Sequence, residues 1–210
     1  MRRLPVYILL DTSGSMRGEP IHAVNNALQI LISTLRQDPH ALETVHIGVI
    51  TFDLDARVMQ ELTPLDTFPP IELTTPNSGP TFLGEALRVV RDKAVSEVTT
   101  GEDADWAPLL FIMTDGKPSD TMTFNEEVNA IKSAGFASIV GCGAGPSADV
   151  TALQRFCTSV AMLDTLDGPG FEQFFKWVSD VITDTGRSPE AKSADTTQLP
   201  PPPSEINIVI

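Results

Sequence analysis

The sequence predicts an α/β fold: a doubly wound, mainly parallel sheet with one antiparallel edge strand and helices on both faces. Two observations support this prediction. Short apolar runs, such as Val6 to Leu10, alternate with stretches whose apolar residues recur at helical spacing, which is typical of parallel strands covered by helices. A less apolar run, Arg57 to Leu62, follows the second strand closely, and this short connection favours a hairpin and an antiparallel edge.

Each element has a local signal in the chain. Apolar runs predict strands at residues 6–10, 45–52, 109–115, 138–143 and 160–163, in addition to the edge strand at 57–62. Helical spacing predicts helices over residues 21–35, 83–94, 149–156 and 171–182, and one near Phe124 to Ile131 with Thr123 and Glu126 as its capping box. Five prolines between Thr63 and Pro80 predict an irregular loop there.

The chain length bounds the domain organisation. A chain of 210 residues can bury one stable core, so a second domain is not required. We expect a globular domain over residues 1–185 and a proline-rich C-terminal tail over 186–210, where the apolar pattern is lost. Residues 205–210 regain strand character. They could add to a sheet edge of this chain or of a partner, or remain without structure.

The charge composition excludes several classes of partner. The net charge is −14, with 14 Lys and Arg against 28 Asp and Glu, which argues against nucleic acid and anionic membranes. We find no apolar run near the roughly 20 residues that a membrane span needs and no secretory signal pattern, so a cytoplasmic protein is expected. Cys142 and Cys157 lack the spacing of a zinc site and are expected to be free, buried thiols.

Oxygen-bearing side chains follow the predicted strands at points that a doubly wound sheet brings together. Asp11, Ser13 and Ser15 come directly after the first strand, Thr81 precedes a helix, and Asp115 closes a later strand. Ligands collect at the carboxyl ends of such strands, and Mg²⁺ prefers oxygen donors. The sequence therefore predicts a metal site made of these five residues, for Mg²⁺ or alternatively Mn²⁺.

The same five residues, in this order, resemble the metal-ion-dependent adhesion site of the von Willebrand factor A domain. The pattern of that family is Asp-x-Ser-x-Ser, a distant Thr and a distant Asp, and the likeness covers about residues 4 to 185. The resemblance implies that the Ser and Thr hydroxyls bind the metal and that both Asp bind it directly or through water. A partner protein's carboxylate would complete the coordination. Pro80 departs from the pattern, because glycine commonly precedes the threonine.

Three further segments look like the TerY-type proteins of bacterial tellurium-resistance clusters. They are residues 11–21, 35–46 and 199–210. The resemblance implies a cytoplasmic adaptor in a stress response, encoded beside a protein kinase and a protein phosphatase, which become candidate partners. Neither composition nor spacing indicates tellurium chemistry.

Two other hypotheses are a magnesium-dependent phosphatase of the haloacid-dehalogenase type and a metal-free scaffold. The phosphatase would use Asp11 as nucleophile and Asp115 with Asp120 as metal ligands. It needs a second carboxylate two residues after the nucleophile as general acid, and Ser13 stands there. A metal-free scaffold would leave Asp11 and Asp115 close together and repelling each other. An interaction module without catalysis is therefore the favoured hypothesis.

Overall fold

A computed structural model describes residues 2–76, 79–101, 104–187, 199–203 and 206–209. Its centre is a seven-stranded sheet with strand order β3-β2-β1-β4-β5-β6-β7. The strands are β1 (Leu4–Asp11), β2 (Val45–Phe52), β3 (Ala56–Pro64), β4 (Leu109–Thr114), β5 (Ser138–Ala144), β6 (Ser159–Leu163) and β7 (Asn207–Ile208). The five strands from β2 to β6 in this order are parallel, and β3 and β7 pair antiparallel at the two edges.

Helices cover both faces of the sheet, as predicted. They are α1 (Glu19–Leu35), α2 (Pro39–Thr44), α3 (Leu83–Glu97), α4 (Thr121–Lys132), α5 (Val150–Gln154) and α6 (Gly168–Arg187). Buried residues of α1, α2 and α6 join one hydrophobic cluster, and those of α3, α4 and α5 join a second. Among the described residues, no helix is long and apolar enough to cross a membrane.

Strand β1 divides the two cores because successive side chains of a strand point to opposite faces. Val6 and Ile8 lie in the core beneath α1 and α6, whereas Tyr7 and Leu9 lie in the core beneath α3 and α4. All eight residues of β1 are buried. Both neighbours of β1, which are β2 and β4, run parallel to it, so β1 is an interior strand of the sheet.

The C-terminal segment returns to the sheet and forms a second antiparallel edge strand. In β7, Asn207 and Ile208 pair with β6, and the Val209 amide donates to the Val160 carbonyl at 2.8 Å. Ile206 is buried in the core. Of the three outcomes left open for this segment, the described residues show the first, an edge strand of this chain. Residues 188–198, 204, 205 and 210 lie outside the described residues.

Several local expectations need correction. The capping box at Thr123 and Glu126 is wrong, because α4 begins at Thr121 with Asp120 as N-cap and Thr123 lies inside the helix. Helix α2 was not predicted, and its signal was present: Asp38 accepts hydrogen bonds from the backbone of His40 and Ala41. Helix α6 continues to Arg187, past the expected start of the tail.

Candidate metal centre

The predicted metal ligands lie together at the carboxyl ends of β1 and β4. These strands are parallel neighbours, with Leu10 paired to Met113, so Asp11 and Asp115 emerge side by side. After β1 the chain continues to β2, on one side of β1 in the strand order, whereas β4 is its neighbour on the other side. This arrangement is the switch point at which α/β sheets form ligand sites.

Asp11 is held in one orientation by two hydrogen bonds. It has no exposed surface. Its Oδ1 accepts from the Ser13 amide at 2.8 Å and its Oδ2 accepts from the Thr114 hydroxyl at 2.6 Å. The carboxylate is therefore fixed by neutral donors.

Ser13, Ser15 and Asp115 continue this hydrogen-bonded chain. The Ser13 and Ser15 hydroxyls are 3.2 Å apart, and the Ser15 hydroxyl donates to Asp115 Oδ1 at 2.9 Å. The turn that carries them is a 3-10 turn over Gly14–Met16. The left-handed glycine in this stretch is Gly18, with φ of 88°, and not Gly14 within the turn. Four of the five predicted ligands thus form one contiguous group.

Thr81, the fifth residue, is placed beside Asp115 by the loop that follows β4. The Thr81 amide donates to the Ser119 hydroxyl at 3.1 Å, and the Ser119 amide donates to the Thr81 carbonyl at 2.8 Å. A Cβ on Gly116 would lie 3.1 Å from Thr81 Oγ1, so glycine at that position allows the close approach. Ser78, which precedes this segment, lies outside the described residues.

The hydroxyl of Thr81 is an unsatisfied buried oxygen within the described part of the chain. Thr81 is 7% exposed, and its Oγ1 has no hydrogen-bond partner among the described residues. Buried polar groups are normally satisfied by protein, water or an ion. A cation between Thr81, Asp115 and the serine hydroxyls would satisfy this oxygen.

The electrostatics of the two carboxylates also favour a bound cation. Burial raises the pKa of Asp11 to about 6, although hydrogen bonds from Ser13 and Thr114 oppose the change and the nearby charge of Asp115 adds to it. Burial raises the pKa of Asp115 as well. Among the described residues, neither carboxylate has a cationic partner in an ion pair. A divalent cation would supply the missing positive charge.

The donor set fits a hard divalent metal. Two carboxylates and three hydroxyls offer oxygen alone, which suits Mg²⁺ or Mn²⁺ and leaves room for water or an incoming ligand. The described residues contain no group of three or more His, Cys, Asp and Glu placed to hold a metal. This agrees with a site in which neutral hydroxyls provide most of the ligands. Cys142 and Cys157 are free.

The sequence reasoning missed residues that hold the ligands in place. Thr114 orients Asp11, and its signal was its position beside Asp115 at the end of an apolar run. Asp53 follows β2, is 1% exposed, and accepts from the Thr12 hydroxyl at 3.2 Å and from Arg57 at 3.3 Å. Asp53 therefore supports the Asp11 turn through Thr12, and Arg57 neutralises its charge.

The geometry offers no support for the phosphatase hypothesis. Asp120, its second metal ligand, accepts hydrogen bonds from the backbone amides of Gly84 and Glu85 at 3.1 and 2.8 Å. Ser13, in the general-acid position, is hydrogen-bonded to Ser15. Lys117 is exposed. Asp120 precedes α4 in the chain, but its carboxylate caps the first turn of α3 instead.

A family model for the von Willebrand factor type A domain matches residues 6–165, which is more than half of the chain. The chain belongs to this family. The matched span contains all five candidate ligands. A comparison with curated proteins finds no match.

Solved structures share the fold of this von Willebrand factor A domain at low sequence identity. Proximal thread matrix protein 1 from the mussel byssus, in a structure described as having a zinc-occupied MIDAS motif, is 18% identical with a TM-score of 0.65, covering 85% of this chain and 48% of that one. The pilus adhesin SpaC from Lactobacillus rhamnosus GG is 14% identical with a TM-score of 0.71, covering 87% and 30%. BatB from Bacteroides thetaiotaomicron is 16% identical with a TM-score of 0.62, covering 88% and 100%.

These likenesses establish the fold of the domain. The chain spans about half the length of the mussel protein, at 48% of it. The metal named for the mussel protein is a property of that protein. The arrangement of side chains at the carboxyl ends of β1 and β4 is the basis for assigning a function here.

Proposed function

We propose that this von Willebrand factor A domain is a metal-dependent protein-interaction module. Asp11, Ser13, Ser15, Thr81 and Asp115 would hold a divalent cation, Mg²⁺ or alternatively Mn²⁺, and a partner protein would complete the coordination with an acidic side chain. The observation that carries this proposal is the joined array of hydroxyls and carboxylates beside the unsatisfied hydroxyl of Thr81.

The candidate ligands and the residues that orient them would each have a defined part in this function. Thr114 and the Ser13 amide fix the oxygens of Asp11, so little reorganisation is needed when the cation binds. The two carboxylates at most balance the charge of a divalent cation, and the serine and threonine hydroxyls are neutral, so the bound cation would remain a strong Lewis acid with a position open to an external carboxylate. Ser15 is exposed and lies on the side that a partner would approach. The proposed role is docking without catalysis.

We propose residues 1–185 as the interaction domain and residues 186–210 as a tail that returns to it. The proposal for the tail is supported by the Trp177 indole, which donates to the Pro200 carbonyl at 2.9 Å, and by the pairing of β7 with β6. The tail would thereby cover the outer edge of β6.

The biological setting that we propose is a bacterial tellurium-resistance or stress-response signalling system. The support is the likeness of residues 11–21, 35–46 and 199–210 to TerY-type proteins. In that setting the domain would be a cytoplasmic adaptor for a protein kinase and a protein phosphatase encoded nearby. The acidic residue offered to the metal would belong to one of these partners.

Metal titration tests the site directly. Calorimetry with Mg²⁺ and Mn²⁺ should detect one site in the unchanged chain, and Asp115→Ala and Thr81→Ala should weaken or abolish it. Glu43→Ala is the matched control, because Glu43 is an exposed carboxylate on α2 at the other end of the sheet. Equal metal affinity in Asp115→Ala and the unchanged chain would refute the site.

Co-purification tests the partners. The kinase and the phosphatase should each be produced with this chain and captured on it in Mg²⁺ or in chelator. The adaptor hypothesis predicts capture that chelator and Asp115→Ala both prevent. Capture that is unaffected by either change would refute a metal bridge.

A further inference from the structure

A groove begins at Gly116, beside the candidate metal centre, and runs between the loop after β4 and the loop after β5. It consists of two adjoining cavities of about 620 and 440 Å³, which share Lys117, Asp149 and Thr151 as lining residues. The first cavity reaches Gly116 and the second reaches Arg155. Since the two cavities share these residues, they form one surface feature.

The near end of the groove lies beside the candidate metal ligands, although none of the five lines either cavity. Gly116, at its near end, follows Asp115 in the chain, and a Cβ on Gly116 would lie 3.1 Å from Thr81 Oγ1. The Asp149 amide donates to the Gly116 carbonyl at 3.4 Å, which joins the two walls. A chain that places one side chain on the metal can therefore continue into the groove.

Two cationic side chains line this groove. Lys117 and Arg155 are both exposed. The Arg155 guanidinium donates to Asn125 Oδ1 at 2.8 Å and lies over the ring of Phe124, 5.1 Å from its centroid. The Asp149 carboxylate also lines the groove, and it accepts a hydrogen bond from the Ala152 amide at 3.3 Å as the N-cap of α5. Neither cation forms an ion pair with a carboxylate among the described residues.

The other side of the metal centre has the opposite arrangement. There, Arg57 pairs with Asp53 and Asp55 at 3.3 and 3.6 Å, so its charge is neutralised within the chain. In a protein with a net charge of −14, Lys117 and Arg155 place two cations in one groove, and neither has an ion pair among the described residues. Complementary charge steers partners and fixes their orientation.

We propose that this groove binds an acidic segment of the partner protein, with one carboxylate on the metal and further Asp or Glu residues beside Lys117 and Arg155. The groove would set the direction in which the partner chain leaves the metal. This inference rests on the proposed metal-dependent function and adds a second contact to it.

Fluorescence anisotropy with labelled peptides tests the groove, in excess Mg²⁺. The probes are a short peptide of alternating Asp and Glu, a peptide of equal length with one central Asp among Ser and Gly, and a peptide with one phosphoserine and no Asp or Glu. The acidic peptide should bind more tightly than the other two. Lys117→Gln and Arg155→Gln should each weaken it by about threefold to tenfold, and more at low salt.

A control variant and a separate metal titration make the outcomes decisive. Lys132→Gln removes an exposed cation from the last turn of α4 and should leave the affinity for the acidic peptide unchanged, whereas both groove variants should retain Mg²⁺ affinity within about twofold. Equal binding of the acidic and single-Asp peptides, loss of affinity in all three variants alike, tighter binding of the phosphoserine peptide, or no binding of the acidic peptide would each overturn the groove proposal. Failure of the metal titration alone would overturn the metal-dependent function.

Discussion

Buried carboxylates lie at both ends of the sheet, but they are compensated in different ways. At the amino end, Asp105 is 9% exposed and Arg3 binds it with two hydrogen bonds of 2.9 and 2.6 Å. At the carboxyl end, Asp11 and Asp115 accept hydrogen bonds from hydroxyls and amides and have no cationic partner among the described residues. The first arrangement is complete within the chain, and the second lacks a positive charge.

The pKa values follow this difference. Burial alone would raise the pKa of Asp105, but hydrogen bonds from Arg3 and Thr99 and the Arg3 charge outweigh it, so the pKa is lowered. Burial dominates at Asp11 and raises the pKa to about 6. The difference in pKa therefore follows from the internal cation that accompanies Asp105 and that Asp11 lacks.

The largest expected difference between the two ends of the sheet is the effect of Mg²⁺ on the free energy of unfolding. Saturating Mg²⁺, at 100 times its dissociation constant, should stabilise the unchanged chain by about 2.7 kcal/mol. Asp11→Asn should abolish this stabilisation, because a neutral amide replaces a carboxylate ligand, whereas Asp105→Asn should retain it. Urea unfolding in Mg²⁺ and in chelator measures both; loss of the metal effect in Asp105→Asn would contradict the comparison.

Removing the charge of Asp105 should destabilise the fold with or without metal. Asp105→Asn leaves Arg3 without its carboxylate and should lower the free energy of unfolding by about 2 kcal/mol. The measurement is urea unfolding in chelator at neutral pH. Glu43→Ala, which removes an exposed carboxylate, should change stability by less than about 0.5 kcal/mol. Equal stability of Asp105→Asn and the unchanged chain would show that the ion pair contributes little.

In the metal-free protein, the same amide substitution at Asp11 should raise the free energy of unfolding, whereas Asp105→Asn lowers it. Ionised Asp11 is costly to bury, as its pKa of about 6 indicates, so Asp11→Asn should stabilise the chelator-treated protein at pH 7 by about 1–3 kcal/mol. Unfolding in chelator measures the change. Destabilisation instead would mean that the Ser13 and Thr114 hydrogen bonds outweigh the burial of the charge.

The two ends should also respond differently to pH in chelator. The folded pKa of Asp11, about 6, lies above the ordinary aspartate value of 3.8, so its contribution to stability is greatest below pH 3.8 and is lost as pH rises through 6. The pKa of Asp105 is lowered from 3.8, so its contribution is present above pH 3.8 and is lost as pH falls through the folded pKa. Unfolding at pH 4.5 to 7 should show a decline that Asp11→Asn reduces, because the pKa of Asp115 is raised as well; an identical pH profile in both chains would contradict the Asp11 assignment.

The fold and the grouping of the five candidate ligands were accessible from the sequence because both depend on local patterns. Strand β2 has the predicted bounds Val45–Phe52, since an apolar run of that length between polar segments has few alternatives. Asp11, Ser13 and Ser15 share one short turn, and the sheet topology placed Asp115 beside them. The supporting contacts could not be predicted in this way. Asp120 resembles an ordinary N-cap in sequence, and its contact with Gly84 depends on how α3 and α4 pack.

That contact determines how the metal centre can deform. Asp120 binds the first turn of α3, and Ser119 binds Thr81 on both sides, so the loops carrying Thr81 and Asp115 are tied into one body. The turn carrying Ser13 and Ser15 is joined to the Thr81 loop by a longer backbone contact, from the Gly14 amide to the Gly79 carbonyl at 3.4 Å. Any separation of these two bodies would also break the Ser15 hydrogen bond to Asp115 at 2.9 Å, with Thr81 and Asp115 moving together on one side.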